Sequence, residues 1–442
     1  MVNRALKLWL RRALPVRVAN RLVFWRDRFR RRLAEWGLAC CLAKSWRCDV
    51  LRRGWLGKRF KGLNCFKVVW LDEADSCKLA VLASAERHPV FGPAEVGKQG
   101  AVRQNLAAEV GLFRFERGLV HGRSSHVFLN QTAVIERMPE VAEGEYDYAT
   151  GGLIINNAEC ALLDAYWAEA PLEFEQALFV GGNGAHNFYH WLVEVFTKFA
   201  YLEQVAPWVD KDVPLLLPQE VLHTANFLTC LRLLPFEWQQ RVVYLPAGKM
   251  ARVKVLFTIS APNNVLFNTA QPGLDLRFFY YRPASVLWLR DRVLAEALSQ
   301  NWGLKPLARL FLARRRGSAR GYNQTEVEAC LVKHGFEPVF MEDFSLWQQA
   351  WLFYHAKWVV GASGAAWTNI VFANPDLQAL SWLPKHLMDF SAFSSLAKYV
   401  GCDLRFLATE VDEPDYLHSS YRVNAAELEA WLDGLNLGAD ND

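Results

Sequence analysis

The chain is 442 residues long, 52% hydrophobic and 22% charged, more than one core usually serves and too apolar for an intrinsically disordered protein. Its net charge of +4 is unevenly placed: residues 1–61 hold 18 Lys and Arg against three acids, and the remainder holds 32 bases against 43 acids. A mildly acidic body would repel a polyanion, which excludes nucleic acid as a partner of that body.

Residues 1–61 read as a basic N-terminal arm. Leu6, Trp9, Leu10, Leu22, Trp25, Phe29 and Leu33 recur among arginines, with an interruption at Pro15; their mostly three- and four-residue spacings are those of an amphipathic helix. A basic helix edged with Trp and Phe suits an anionic membrane surface, which makes residues 1–36 a candidate membrane-contacting segment. A helix packed on the body with its arginines in water gives the same pattern. No run of 18 apolar residues is present, so no transmembrane helix is expected, and the charge pattern does not fit a secretory signal peptide. Nine scattered cysteines form no Cys-x-x-Cys pair, which argues against a zinc ribbon or redox motif and fits a reducing compartment. The expected location is the cytoplasm, or the inner membrane face where the arm binds lipid.

Short strands and turns fill residues 62–170: KVVWL, LAVLAS, LFRFERGLV, HVFLN and TAVIER. The LDEAD stretch at 71–75 has no accompanying phosphate loop and carries no nucleotide-binding meaning. From about residue 172 strands and helices alternate. EQALFVGG (175–182) predicts a buried strand, GNGAHN a glycine-rich turn, and residues 188–205 a helix; VPLLLP, RVVYLPAG and RVKVLFTI predict further strands. A helix over 285–302 leads into a second series: strand 309–315, helix 324–335, helix 345–356 with Ser345 and Gln348 as a capping box, strand and turn KWVVGASG, a short helix AAWTNIVFAN, and strand LQALSWL. Residues 424–435 predict a closing helix. The alternation implies a mostly parallel sheet, hence α/β lobes of Rossmann size with a cleft between them.

Three segments carry candidate chemistry. In GGNGAHNFYHWLVEVF (181–196) His190 and Glu194 stand four apart on one helix face, and Asn187 sits where a cap is needed. An imidazole paired with a carboxylate is a usable general base, and a buried structural His–Glu bond is the competing reading. In LARRRGSARGYNQTEVE (312–328) Arg314, Arg315, Arg316 and Arg320 gather after a strand, where guanidinium forks suit a diphosphate; a solvated basic loop fits equally. In VVGASGAAWTNIVF (359–372) Gly361, Ser363 and Gly364 lie between a strand and a helix, presenting backbone N–H groups to an anion. No Asp-x-Asp is read as a loop motif for holding a divalent ion, so neither a metal nor a cofactor is expected.

Taken in this order, the three segments resemble glycosyltransferase family 61, whose bacterial members include capsular polysaccharide biosynthesis proteins. Asn187, Tyr189, His190, Trp191 and Glu194 are similar to the family's first block. Arg314, Arg320, Asn323 and Glu326 are similar to its second, and Gly364, Ala365, Thr368 and Asn369 to its third. The similarity spans roughly residues 105–385. Three positions depart: Ser363 stands where the family has histidine, Gln324 where it has an acid, and Ser381 where a glutamate commonly ends the strand.

The resemblance implies a metal-independent, inverting glycosyltransferase of GT-B-like fold, serving surface or capsular polysaccharide synthesis. Its co-substrates would be a nucleotide-sugar donor and a glycan or lipid-linked acceptor. Residues 62–284 would form the acceptor-binding lobe, 285–410 the donor-binding lobe, and 411–442 a tail. His190 and Glu194 would be catalytic, with Asn187 and Trp191 on the acceptor side. Arg314, Arg320, Asn323, Glu326, Ser363, Gly364, Ala365, Thr368 and Asn369 would bind donor. A catalytically degenerate scaffold at the membrane and a sugar-nucleotide enzyme such as an epimerase are the alternatives.

Overall fold

The computed structural model describes residues 65–130, 132–142, 153–156, 160–163, 171–246, 249–266, 274–315, 321–411 and 420–434. The arm at 1–61, with its 1–36 segment, lies outside the described residues, as do Arg316 and Arg320. What is described is mixed α/β, built on two large sheets.

In the eleven-stranded sheet Leu172–Phe179 lies third from one edge. Met250–Ile259 lies parallel to it on one side and Leu215–Pro218 on the other, with Val242–Leu245 parallel beyond. These strands end in continuous buried runs, Ala177–Phe179 and Leu215–Leu217, as expected for parallel strands covered on both faces. Past Met250–Ile259 the pattern changes. Val110–His121 runs antiparallel to it, and Val127–Leu129 and Thr132–Ile135 follow as hairpin strands. The sequence pattern predicts a mostly parallel sheet, and this half departs from it. Val110–His121, Val127–Leu129 and Thr132–Ile135 are joined by connections too short for a parallel crossover and pair antiparallel, while Thr132–Ile135 is parallel to Cys65–Trp70 on its other side.

In the second sheet Arg309–Leu312, Glu337–Val339, Trp358–Ala362, Gln378–Pro384 and Asp403–Val411 are mutually parallel. Gln324–Lys333, Leu346–His355, Ala365–Phe372 and Ala392–Tyr399 are the helices between them. Alternation sends Phe311, Val360, Leu380 and Trp382 into one core, which they share with Val327, Leu428 and Leu432. Leu310, Leu312, Val359 and Leu383 enter the larger core on the other face. Ala94–Glu95, from the chain's first third, adds a parallel strand beside Asp403–Val411. The hairpin carrying Pro89 and Phe91 also grips helix Ala392–Tyr399: Tyr399 Oη donates to the Pro89 carbonyl at 2.6 Å and Phe91 N–H donates to Ser395 Oγ at 3.0 Å.

Helix Pro283–Leu298 connects the two sheets. Proline at its start supplies a preset φ where no N–H is needed. Val286, Leu289, Val293 and Ala297 are fully buried at helical spacing. One side meets helical residues 196–201, with Trp288 and Phe196 ring centroids 5.8 Å apart. Another meets helix Ala365–Phe372, where Arg290 donates to the Val371 carbonyl.

Ser345 accepts from Gln348 N–H and Gln348 Oε1 accepts from Ser345 N–H, completing the capping box read from the sequence. Ser345→Ala should lower unfolding free energy by about 1 kcal/mol, read by urea titration, with little effect on activity.

Candidate active site

Strand Leu172–Phe179 runs out into the glycine turn, and packing dictates the glycines. A Cβ at Gly181 would lie 2.6 Å from the Ser124 carbonyl. Gly184 adopts φ +69°, the left-handed region, and a Cβ there would lie 2.9 Å from His190 Cδ2. The turn therefore sits flat against the imidazole. Asn187 Oδ1 accepts the Tyr189 N–H at 2.9 Å and its carbonyl accepts the Trp191 N–H at 2.9 Å, which opens the helix as a cap does.

The helical stretch over 188–205 is where the periodicity puts it, but its winding varies. His190–Val195 is a π turn, Phe196–Tyr201 a 3₁₀ stretch, and Leu202–Val205 α-helix. Irregular winding leaves carbonyls for side chains to satisfy. Thr197 Oγ1 donates to the Val193 carbonyl at 2.6 Å and Asn263 Nδ2 donates to it at 2.8 Å. Asn263 is itself fully buried; Nδ2 reaches Ser285 Oγ at 2.9 Å, and Oδ1 accepts the Arg282 N–H at 2.7 Å. One amide thus joins the π turn to the start of helix Pro283–Leu298. Sequence reasoning missed Asn263, because its role depends on two segments distant in the chain.

His190 Nδ1 lies 2.7 Å from Glu194 Oε2. Glu194 is 6% exposed, and its Oε1 has no hydrogen-bond partner among the described residues. Burial raises the carboxyl's pKa; the His190 charge and hydrogen bond and the Val265 N–H oppose that rise, and Glu136 adds to it. Tyr189 Oη and Tyr281 Oη lie 2.7 Å apart beside the pair, and burial pushes both phenols well up, so both stay neutral. A carboxyl of raised basicity, hydrogen-bonded to an imidazole, is suited to accept a proton from a hydroxyl.

The second and third segments meet at the carboxyl edge of the second sheet. Arg309–Leu312 and Trp358–Ala362 are parallel neighbours, so Arg314 and the Ser363–Gly364 turn emerge side by side. Arg314 donates to the Ser363 carbonyl, and a Cβ at Gly364 would lie 2.8 Å from Arg314 Nη2. Gln324 fixes the arginine's backbone from both sides: Oε1 accepts the Arg314 N–H at 3.0 Å and Nε2 donates to the Arg314 carbonyl at 2.9 Å. A carboxylate at 324 has no proton for the second bond. Gly364 opens the 3₁₀ helix Ala365–Phe372, and Gly364 and Ala365 are half-buried.

Several candidates are engaged elsewhere. Trp191 is fully buried, stacked on Phe227 with centroids 5.2 Å apart, so it is a core residue and not an acceptor contact. Asn323 donates to the Val423 carbonyl at 3.0 Å and accepts its N–H at 2.9 Å, while Glu326 takes Arg422 at 2.6 Å and Asn323 at 2.8 Å. Both clip strand Tyr421–Arg422 to helix Gln324–Lys333, which occupies the groups assigned to donor. Thr368 and Asn369 are fully buried, and Asn369 Nδ2 donates to Gln349 Oε1 at 2.8 Å. Ser363 is nearly sealed too. Arg315 turns away, holding Asp343 with a bidentate pair at 2.5 and 2.6 Å. Among the donor-side candidates Arg314, Asn323, Gly364 and Ala365 are half-buried and Glu326 is exposed. Asn323 and Glu326 are held by Val423 and Arg422, which leaves Arg314, Gly364 and Ala365 at the sheet edge.

Asp210-Lys211-Asp212 is an Asp-x-Asp triplet that the sequence reading passed over. It precedes strand Leu215–Pro218, whereas the glycine turn follows the parallel strand Leu172–Phe179, so the two occupy opposite sheet edges. Among the described residues no group of three or more His, Cys, Asp or Glu is placed to hold a metal ion, and no helix is long and apolar enough to cross a membrane.

A family model described as Glycosyltransferase 61 matches residues 188–380. Over those residues, a little under half of the chain, the sequence is similar to glycosyltransferase family 61. The match is shorter than the 105–385 span of the resemblance; it begins at Phe188, just ahead of the His190–Glu194 pair, and includes Arg314 and the Gly364 turn. No curated protein matches the chain. The match supports a glycosyltransferase activity in general, a reaction that uses a nucleotide-sugar donor and an acceptor.

Gly184→Ala tests the contact between turn and imidazole. The left-handed backbone costs about 1–2 kcal/mol with a Cβ, and the methyl displaces His190. Stability should fall by that amount in urea titration, and turnover should fall further than stability explains.

Proposed function

We propose that this glycosyltransferase moves a sugar from a nucleotide-sugar onto a glycan or lipid-linked glycan with inversion, in a GT-B-like arrangement with 62–284 on the acceptor side and 285–410 on the donor side. The observation that carries the reading is the buried 2.7 Å His190–Glu194 pair at the head of the family-matched segment. Glu194, or His190 oriented by it, takes the acceptor hydroxyl's proton as that oxygen attacks the anomeric carbon; the bond from that carbon to the diphosphate oxygen breaks, and the diphosphate leaves. Arg314 and the N–H groups opening helix Ala365–Phe372 then stabilise the departing charge without a metal ion. Supporting a common cleft, residues 196–201 and Ala365–Phe372 both pack on helix Pro283–Leu298. Tyr189, next to His190, also meets Phe393 edge-on at 5.8 Å, reaching a helix of the second sheet.

Glu194→Gln and His190→Ala should each lower turnover by roughly 10²–10⁴ while calorimetric binding of the nucleoside diphosphate stays near wild type. Arg314→Ala should weaken that binding. Full activity in both of the first two variants would end the base assignment. Since burial raises the Glu194 pKa and only the ionised carboxylate accepts a proton, activity is lost as pH falls through the raised value. The acid limb of kcat/KM therefore lies above 4.5, the ordinary value of this carboxyl.

The basic segment 1–36 is the proposed contact with anionic lipid at the cytoplasmic membrane face, in surface polysaccharide synthesis. Sedimentation with phosphatidylserine-containing liposomes should fall on deleting residues 1–36 and be weak with neutral lipid; unchanged sedimentation after deletion defeats the idea.

A further inference from the structure

Lys198 lies two turns beyond His190 on the same helical stretch and is 1% exposed. Its Nζ donates to the Gly181 carbonyl at 3.1 Å and sits 3.7 Å from Glu136 Oε1. That carboxylate oxygen in turn accepts the Ala261 N–H at 2.9 Å. Apolar side chains fill such space without the cost of taking two charges out of water, so filling space does not explain the pair. Its reach does. Lys198 holds the first glycine of the turn that lies against His190, and Glu136 holds the chain two residues before Asn263, the amide that secures the π turn.

We propose that Lys198 and Glu136 are positioning residues of the transferase, an ion pair that fixes the glycine turn against His190 and sets the charge balance in which the His190–Glu194 pair takes up its proton. The proposal rests on the reading of that pair as the base. The groups facing Glu194 are His190 and Tyr189 on its own helix, Tyr280 and Tyr281 from the segment before helix Pro283–Leu298, the Val265 N–H, and Glu136. Glu136 is the other carboxylate in that set, and Lys198 is the cation beside it. Lose the cation, and an uncompensated negative charge faces Glu194; lose the acid, and Glu194 ionises more easily.

The two variants therefore push in opposite directions. In protein carrying 13C-labelled histidine, with the His190 signal assigned by its absence in His190→Ala, the ring's titration reports the pair without donor or acceptor. Lys198→Met should move that titration to higher pH and Glu136→Gln to lower pH, with Lys198→Arg close to wild type. In turnover of a UDP-, GDP- or CMP-sugar, Lys198→Met should lose roughly 10²-fold in kcat through misplacement of the base, with Lys198→Arg restoring most of it. Titrations that stay put, or that move in one direction for both variants, overturn the proposal and leave the pair merely structural. Should Lys198→Met fail to fold, Glu136→Gln and Lys198→Arg decide the matter, an unmoved Glu136→Gln titration being fatal. An inactive Glu194→Gln or His190→Ala with unmoved titrations sinks the positioning role alone; full activity in both Glu194→Gln and His190→Ala sinks the base reading itself.

Discussion

The structure depends on burying charge along one helix. His190, Glu194 and Lys198 follow one another at intervals of four, and Glu194 and Lys198 are almost wholly removed from solvent. Each then needs a partner, because an unpaired charge in a low dielectric is far costlier than a paired one. Glu194 has His190, and Lys198 has the Gly181 carbonyl and Glu136. The glycines follow from this demand: the turn must come close enough for its carbonyl to meet an ammonium and its backbone to lie on an imidazole. The π winding at His190–Val195 belongs to the same arrangement, with Thr197 and Asn263 holding the Val193 carbonyl.

On the second sheet the cation is fixed differently. Parallel strands deliver Arg314 and the Ser363–Gly364 turn to the same edge, and Gln324 holds the arginine's backbone through both halves of its amide. An amide can donate and accept at once, so this departure from an acidic residue has a structural use. The small residue at 364 leaves room for the guanidinium. Asn323 and Glu326 serve the neighbouring C-terminal strand instead, and Asn369 ties its helix to Gln349. The segments similar to the family's second and third blocks thus contain residues that assemble the edge as well as candidates for touching a ligand there.

Much of this was legible in the chain. Alternating apolar runs gave the strands of both parallel series, and spacing placed the 188–205 helix, the Ser345 cap and the closing helix. The His190–Glu194 contact was readable because residues four apart on a helix meet regardless of what surrounds them. Trp191 was misread for the opposite reason. Its exposure depends on Phe227, thirty-six positions away, and no local pattern announces that stacking. Asn263 and Glu136 escaped notice likewise, each being an ordinary polar residue until another segment folds onto it.

By itself, then, the sequence determined what depends on near neighbours: helix and strand periodicity, capping, glycine positions and the pairing of His190 with Glu194. Tertiary structure decided burial and long-range partnership: which polar groups are sealed like Thr368, which are clipped to a distant strand like Asn323, and which basic groups stay at an edge like Arg314. The physical reason is range. Backbone preference and i, i+4 contacts act within one or two turns, whereas desolvation and hydrogen bonding of a buried side chain depend on segments that only the completed fold brings together.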